Sequence, residues 1–305
     1  MASAAPISMN CSFSTAAVIG GAGAVGSLFV KSLAGSGVQR VISLDPQNEL
    51  EDSGGLEERL HADVTALEGE AAKALEAADL VVLALPHDVA LQCVADLSAA
   101  LKPGALLVDT LSVKSEYVSI LSRLDVPIEL LSINPMFGPD LGFTDQSVAV
   151  VEVSGGSRAT NFLAMIESWG SSLVHLTAEE HDRATAATQA ATHAALLGYA
   201  LALTGMGCDL SSLSAIASPP HRTLLALVAR IAAADPEVYR EIQLRNPYAS
   251  DAREKLKQGL SRLERALASD SSESFSDCIE DIRGTLGGEQ APLAKLCSRI
   301  FQALE

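Results

Sequence analysis

The residues able to do chemistry fall in a few short stretches. In SINPMFGPD, residues 132–140, a largely apolar run stops at Asn134, and two prolines and a glycine then confine the chain to one path. Asn134 offers hydrogen bonds in both directions but has no useful basicity near neutral pH, so it could hold a polar substituent without taking its proton. DTLSVKSE, residues 109–116, delivers a hydroxyl, Ser112, and an amine, Lys114, at the end of a second apolar run. In TQAATHAALLGYA, residues 188–200, Gln189 and His193 continue a four-residue spacing begun at Thr185, which puts all three on one face of a helix. A buried polar stripe needs partners or a ligand; a core histidine bonded to a neighbouring helix is the plainer reading of the same pattern.

A different chemistry is written in GGAGAVG, residues 20–26. Gly21, Gly23 and Gly26 have the G-x-G-x-x-G spacing, between an expected strand and an expected helix. In such a turn Gly21 would permit the tight bend, Gly23 a close approach of backbone to a pyrophosphate, and Gly26 close packing of helix on strand. Backbone N–H groups at the helix start, those of Ala24 and Val25, would face the phosphates. Asp45 ends the next strand, where a carboxylate would accept the adenosine ribose hydroxyls and repel a 2′-phosphate. NAD is therefore expected rather than NADP, and a turn-forming Asp before Pro46 is the plainer alternative. Leu85 and Pro86, in ALPHD at the end of a further strand, would line the same cofactor.

These stretches must be held by regular elements. From about residue 14 the segments TAAVI, VQRVISLD, ADLVVLALP, GALLVDTLS, IELLSIN, SVAVVEVS and SLVHLT read as strands, with VGSLFVKSLAGSG and RATNFLAMIESWG as helices. Near-continuous apolar runs suit parallel strands covered on both faces. The alternation predicts an α/β domain over 14–177, a doubly wound parallel (Rossmann) sheet, with residues 1–13 as a tail. Ligands of such sheets lie outside the carboxyl ends of the strands, where ALPHD, DTLSVKSE and INPMFGPD fall. After Thr177 no strand signal remains. AEEHDRATAATQAATHAALLGYALALTG reads as one long helix opened by a capping box of Thr177 and Glu180, and 178–305 as an all-helical dimerisation domain.

Composition bounds the function. A formal net charge of −17 over 305 residues argues against nucleic-acid and anionic-membrane partners, while leaving room for a small anionic substrate held by a few local arginines. The five cysteines, Cys11, Cys93, Cys208, Cys278 and Cys297, are scattered and never form C-x-x-C, so neither a disulfide framework nor a metal site is expected. The apolar stretch 190–204 is too short to span a bilayer, and no secretory signal opens the chain, so a cytoplasmic protein is expected. The Ala-rich helices after Thr177 are too apolar for one thin α/β layer to cover, which predicts a homodimer.

Taken together, the glycine turn, DTLSVKSE, NPMFGPD, LTAEEHD, QAATH and DPEVYREIQLRNP resemble the prephenate and arogenate dehydrogenase family, over nearly the whole chain. The resemblance implies a nicotinamide-binding α/β domain and a helical domain that forms the dimer. It implies oxidation of a cyclohexadiene at ring carbon 4, with loss of a carboxylate as carbon dioxide. Ser112 would then bond near ring carbon 4, His193 and Gln189 would contact the substrate, and Lys114 would organise its loop. In the family pattern the residue before PMFGP is a histidine that draws the proton from a ring hydroxyl; here it is Asn134. A carboxylate-binding arginine common among relatives corresponds to Tyr248, with Arg245 or Arg253 as replacements. The sequence is most similar to the branch acting on 4-amino-4-deoxyprephenate, whose amine lone pair can expel hydride without a base. Prephenate or arogenate is the alternative substrate, and a non-catalytic NAD-binding relative the alternative of another class. A 3-hydroxyacid dehydrogenase would place a lysine in the helix over 178–203, which has none.

Overall fold

The computed structural model describes residues 13–47, 57–207, 209, 211, 213, 215–269 and 272–304. Cys11, Cys208 and all but the last residue of the 1–13 tail lie outside them. The chain divides into two compact units, Met1–Asp182 and Arg183–Glu305. In the first, eight strands form one sheet: β1 Thr15–Ile19, β2 Arg40–Asp45, β3 Glu57–His61, β4 Leu80–Leu83, β5 Leu106–Asp109, β6 Glu129–Pro135, β7 Ser147–Ser154 and β8 Ser172–His175. Their order is β3-β2-β1-β4-β5-β6-β7-β8. The strand order reverses between β1 and β4, so the glycine turn after β1 sits at the switch point where such sheets take ligands.

Alternate residues of each strand feed two cores, which is why the runs are apolar throughout. Ala16, Val18, Leu80 and Val82 pack under helices α1 (Ala24–Ala34) and α5 (Ser157–Ser168), through Phe29, Leu33, Phe162 and Ile166. Ala17, Ile19, Val81 and Leu83 pack on the opposite face under α2 (Gly69–Ala77), α3 (His87–Ala100) and α4 (Ser115–Leu121). At about 25 cal/mol per Å² of apolar surface removed from water, these two layers are the main source of the unit's stability.

The alternation predicts a parallel sheet throughout, and the structure departs from this at one pair of strands. β7 runs antiparallel to β6, and β8 is parallel to β7. Only residues 136–146 join β6 to β7, with one short 3₁₀ turn among them, and a parallel return needs a longer crossover, usually a helix. That connection is also the loop after Asn134. Its Phe137 packs edge-on against Phe143, at 5.4 Å between ring centroids, and Phe143 lies 4.6 Å from Trp169. The aromatic anchors pin the chain leaving the strand, so Asn134 is fixed from both sides.

The second unit is helical: the end of α6 (Ala178–Thr185), a π-helical segment Ala186–Ala191, α7 (Thr192–Gly205), α8 (Pro219–Ala233), α9 (Pro236–Arg245), α10 (Ala249–Ala268), α11 (Ser272–Leu286) and α12 (Gln290–Gln302). The expected single helix from 178 is therefore interrupted. Gln243 Nε2 donates to the Ala190 carbonyl at 2.8 Å, and Arg253 Nη1 braces Gln243 through its carbonyl and its Oε1, both at 2.8 Å. The capping box is present: Thr177 N–H and Oγ1 donate to Glu180 Oε2 at 2.8 Å, and Glu180 N–H returns to Thr177 Oγ1. Among the described residues no helix is long and apolar enough to cross a membrane.

Candidate active site

The glycine turn is built by contact as much as by conformation. The left-handed bend falls at Gly20, with φ +82°, and not at Gly21 as its place in the motif suggested. A Cβ at Gly21 would lie 2.2 Å from Ser43 Oγ, so Gly21 is needed for the approach of β2. A Cβ at Gly26 would lie 2.0 Å from the Gly20 carbonyl, which is the helix–strand packing expected of it. Gly23 is different: its Cβ would meet only the Gly20 carbonyl, at 3.3 Å. Among the described residues nothing else meets that space, which opens onto the first turn of α1, where Ala24 and Val25 lie and no side chain caps the helix.

Asp45 closes one side of this cradle. Its Oδ2 accepts the Ala22 N–H at 3.1 Å and its Oδ1 the Gln47 N–H at 2.8 Å. The carboxylate therefore makes the local turn and reaches the glycine loop as well. Leu85 Cδ2 lies against Gly20, and Pro86 caps α3. A pyrophosphate fits this arrangement, with the ribose beside Asp45. Asp45→Ala should weaken NAD by about 10- to 150-fold, the range of a lost hydrogen bond to a charged group, and narrow its advantage over NADP. Titration of both dinucleotides checks this; a wild type that prefers NADP would remove Asp45 from the ribose.

A buried polar network ties β5, the following loop, β6 and α6 together. Lys114 and Asp109 are both fully buried, and Lys114 Nζ donates to Asp109 Oδ1 at 2.8 Å and to the Ile133 carbonyl at 2.6 Å. Burial pulls the ammonium below the usual lysine range while Asp109 opposes it. Lys114 thus joins the loop that carries Ser112, itself half-buried, to the residue before Asn134. It organises this site and is not exposed to a ligand.

Asn134, 2% exposed, meets a residue that motif reading had not singled out. Its Nδ2 lies 3.0 Å from His181 Nε2, and His181 Nδ1 lies 2.8 Å from Asp182 Oδ1. Asp182 also accepts the Lys114 N–H and the Ser115 N–H, each at 2.8 Å. Both members of the pair have no exposed surface. The signal was available in LTAEEHD, where an adjacent His and Asp follow the capping box, but spacing alone does not point an i, i+1 pair at a strand end.

Burial lowers the His181 pKa, helped by Lys114 and opposed by Asp182 and Asp109. At neutral pH the imidazole is therefore uncharged. Its contribution to stability is complete above about pH 6.5, the ordinary histidine value, and is lost as pH falls through the lowered folded value. Thermal melts at stepped pH should decline below about 6.5 more steeply for the wild type than for His181→Gln. Equal slopes would mean that another group controls the acid limb.

In the helical unit, Thr185 is buried and accepts from Asn246 Nδ2 at 3.1 Å, so the first member of the polar stripe is satisfied by a neighbouring helix end. Gln189 Oε1 and His193 Nδ1 are buried atoms without a hydrogen-bond partner among the described residues. His193 sits edge-on to Tyr239, at 4.8 Å, and its pKa is lowered by burial and then by Arg230. Orphaned polar atoms on adjoining turns are what a ligand-facing surface leaves open. Of the arginine candidates, Arg253 is occupied in bracing Gln243, and Arg245 is exposed at the end of α9. Tyr248 lies under the Arg183 guanidinium, whose Cζ is 4.6 Å from the ring centroid. That stacking holds a cation against the Tyr248 ring.

Comparison with known proteins follows the two-unit division. Residues 31–151 match the family model of the prephenate dehydrogenase nucleotide-binding domain, and 177–281 that of the prephenate dehydrogenase dimerization domain. The chain is 42% identical over 292 residues to a 4-amino-4-deoxyprephenate dehydrogenase of Streptomyces pristinaespiralis, covering 96% of this chain and 98% of that protein. It is 33% identical over 227 residues to the T-protein of Enterobacter agglomerans, covering 74% of this chain and 55% of that protein. Among solved structures it resembles prephenate dehydrogenase from A. aeolicus in complex with hydroxyphenyl propionate and NAD+. The TM-score is 0.71 at 20% identity, over 91% of this chain and 97% of that one.

Proposed function

Because the chain belongs to the prephenate dehydrogenase family and is an NAD-dependent dehydrogenase, we propose that its substrate is 4-amino-4-deoxyprephenate, oxidised and decarboxylated to 4-aminophenylpyruvate. The observation that carries this reading is the amide of Asn134 at the carboxyl end of β6, held against His181 and not replaced there by a base. NAD supplies the hydride acceptor. Asn134 near the end of β6, and Ser112 in the loop after the neighbouring parallel strand β5, would hold the substituent on ring carbon 4 by hydrogen bonds. An amine lone pair pushes electrons onto the ring as hydride departs from carbon 4, leaving an iminium. Loss of the ring carboxylate as carbon dioxide returns that electron pair, and the ring becomes an aniline with no net proton transfer. A hydroxyl leaves a far more acidic oxygen cation, for which a base is needed and for which Asn134 has no basicity.

In this reading residues 14–177 hold the dinucleotide. Residues 178–305 contribute Gln189, His193 and a carboxylate-binding cation, Arg183 or Arg245. Incubation with NAD and, in turn, the amino compound, prephenate and arogenate should produce reduced cofactor chiefly with the first. Efficient oxidation of prephenate with none of the amine would overturn the assignment.

The helical unit also supports a homodimer. Leu201, Leu260, Leu267 and Ile282 are each more than half exposed, whereas among the described residues its buried apolar cluster comprises Ala190, Ile242 and Ala249. Such exposed apolar faces are what a second subunit buries. Sedimentation at micromolar concentration should give a dimer; a monomer would count against it.

A further inference from the structure

The hydrogen bonds around Asn134 have a direction, and that direction follows from Asp182, a carboxylate that can only accept. Asp182 receives backbone N–H groups on both carboxylate oxygens, from Lys114 and from Ser115. Those bonds, with that from His181, hold it ionised against the effect of its burial. An ionised carboxylate donates nothing, so His181 Nδ1, 2.8 Å away, must carry the proton. A neutral imidazole has one N–H, which leaves a lone pair on Nε2. The atom of Asn134 that faces it at 3.0 Å must then be the NH₂ group, since a carbonyl oxygen there would set two acceptors together. Neither His181 nor Asp182 is exposed, so water cannot relieve the opposite arrangement.

We infer that His181 and Asp182 are positioning residues that lock the Asn134 amide with its carbonyl oxygen toward the substituent on ring carbon 4, which makes Asn134 an acceptor for an N–H and never a donor to the nitrogen. The inference rests on the placement of Asn134 at the substrate amine. Its chemical weight lies in the lone pair. A flipped amide would donate to the amine nitrogen and hold the electron pair that must move onto the ring as hydride leaves. An amide locked as an acceptor binds the N–H and leaves the pair free. Orientation therefore acts on turnover more than on binding of the cofactor, and favours substrates whose substituent donates.

Two measurements test this. In protein labelled with 15N-histidine, the six histidines include one, absent from His181→Gln, that should show a protonated Nδ1 and an unprotonated Nε2. A protonated Nε2 would overturn the inference, whatever the substrate. Kinetics with the amino compound then separate orientation from folding. His181→Phe removes the acceptor for Asn134 and should lower kcat by about 5- to 150-fold, the range of a lost buried hydrogen bond. NAD affinity by calorimetric titration should be unchanged. His181→Gln places an amide oxygen near the Nε2 position and should recover part of that loss. Wild-type kcat in His181→Phe would overturn the inference. If His181→Phe does not fold, the tautomer of the wild type decides alone. If the tautomer is as expected and the wild type ignores the amine, the substrate assignment fails while the amide orientation stands.

Discussion

Lys114→Met is expected to cost about 3–5 kcal/mol of folding free energy, the scale of a buried charge left without its partner. The ammonium and the Asp109 carboxylate are both fully buried, 2.8 Å apart, and no solvent reaches either. Methionine keeps most of the side-chain volume, so the loss comes from the stranded carboxylate and the bare Ile133 carbonyl, and little from a cavity. A second substitution identifies the cause. Asp109→Asn in the Lys114→Met background removes the stranded charge while keeping an acceptor for the Leu111 N–H, and should recover a large part of the loss. Denaturant unfolding of the four proteins of this cycle measures it. A single-variant loss of about 1 kcal/mol or less is that of a surface pair and would show that water compensates Asp109.

Asn134→His should raise turnover of prephenate by about 10²–10⁴-fold, the usual contribution of a well-placed general base. The surroundings suit the exchange. His181 offers its Nε2 lone pair to whatever occupies position 134, so a histidine there would donate one ring N–H to His181. Its other nitrogen would be left unprotonated toward the substrate, in reach of a ring hydroxyl. Asn134→Ala, by contrast, should cost only about 1–3 kcal/mol with the amino compound, because it removes a hydrogen bond and no base. Steady-state rates with both substrates check the pair. Loss of the amine activity with no gain on prephenate would mean that position 134 does not choose between them, and that the proton leaves by another residue or by water.

Much of the α/β unit was legible because its strands are covered on both faces and announce themselves as apolar runs. β3 escaped notice for the opposite reason: EERLH, at the edge of the sheet, has no such run, and pairing with β2 creates the strand. The direction of β7 lay in the length of the connection before it, and the left-handed glycine lay one residue before the motif. The glycine roles depend on what the backbone meets, Ala84 at Gly20 and Ser43 at Gly21, and the spacing of glycines does not record that. At the site, Asn134 and Ser112 stood out because strand ends bear ligands. His181 did not, since its role comes from contact with a strand 47 residues earlier. The arginine question was legible only as a vacancy at Tyr248; the stacking of Arg183 on that ring is a tertiary fact.

The π-helical segment at Ala186–Ala191 has a consequence in angular register. An α-helix turns about 100° per residue, and a π turn accommodates one residue more than an α turn over the same stretch of axis. Everything after Ala191 is therefore rotated by about one residue's step relative to an uninterrupted helix. Deleting one residue within 186–191 would let the ladder close as ordinary α-helix and swing His193 together with Leu197 and Leu201 around the axis. The polar atoms kept open on Gln189 and His193 and the apolar row on α7 are thus phased by a single inserted residue, with the Gln243 amide seated on the Ala190 carbonyl inside the π-helical segment.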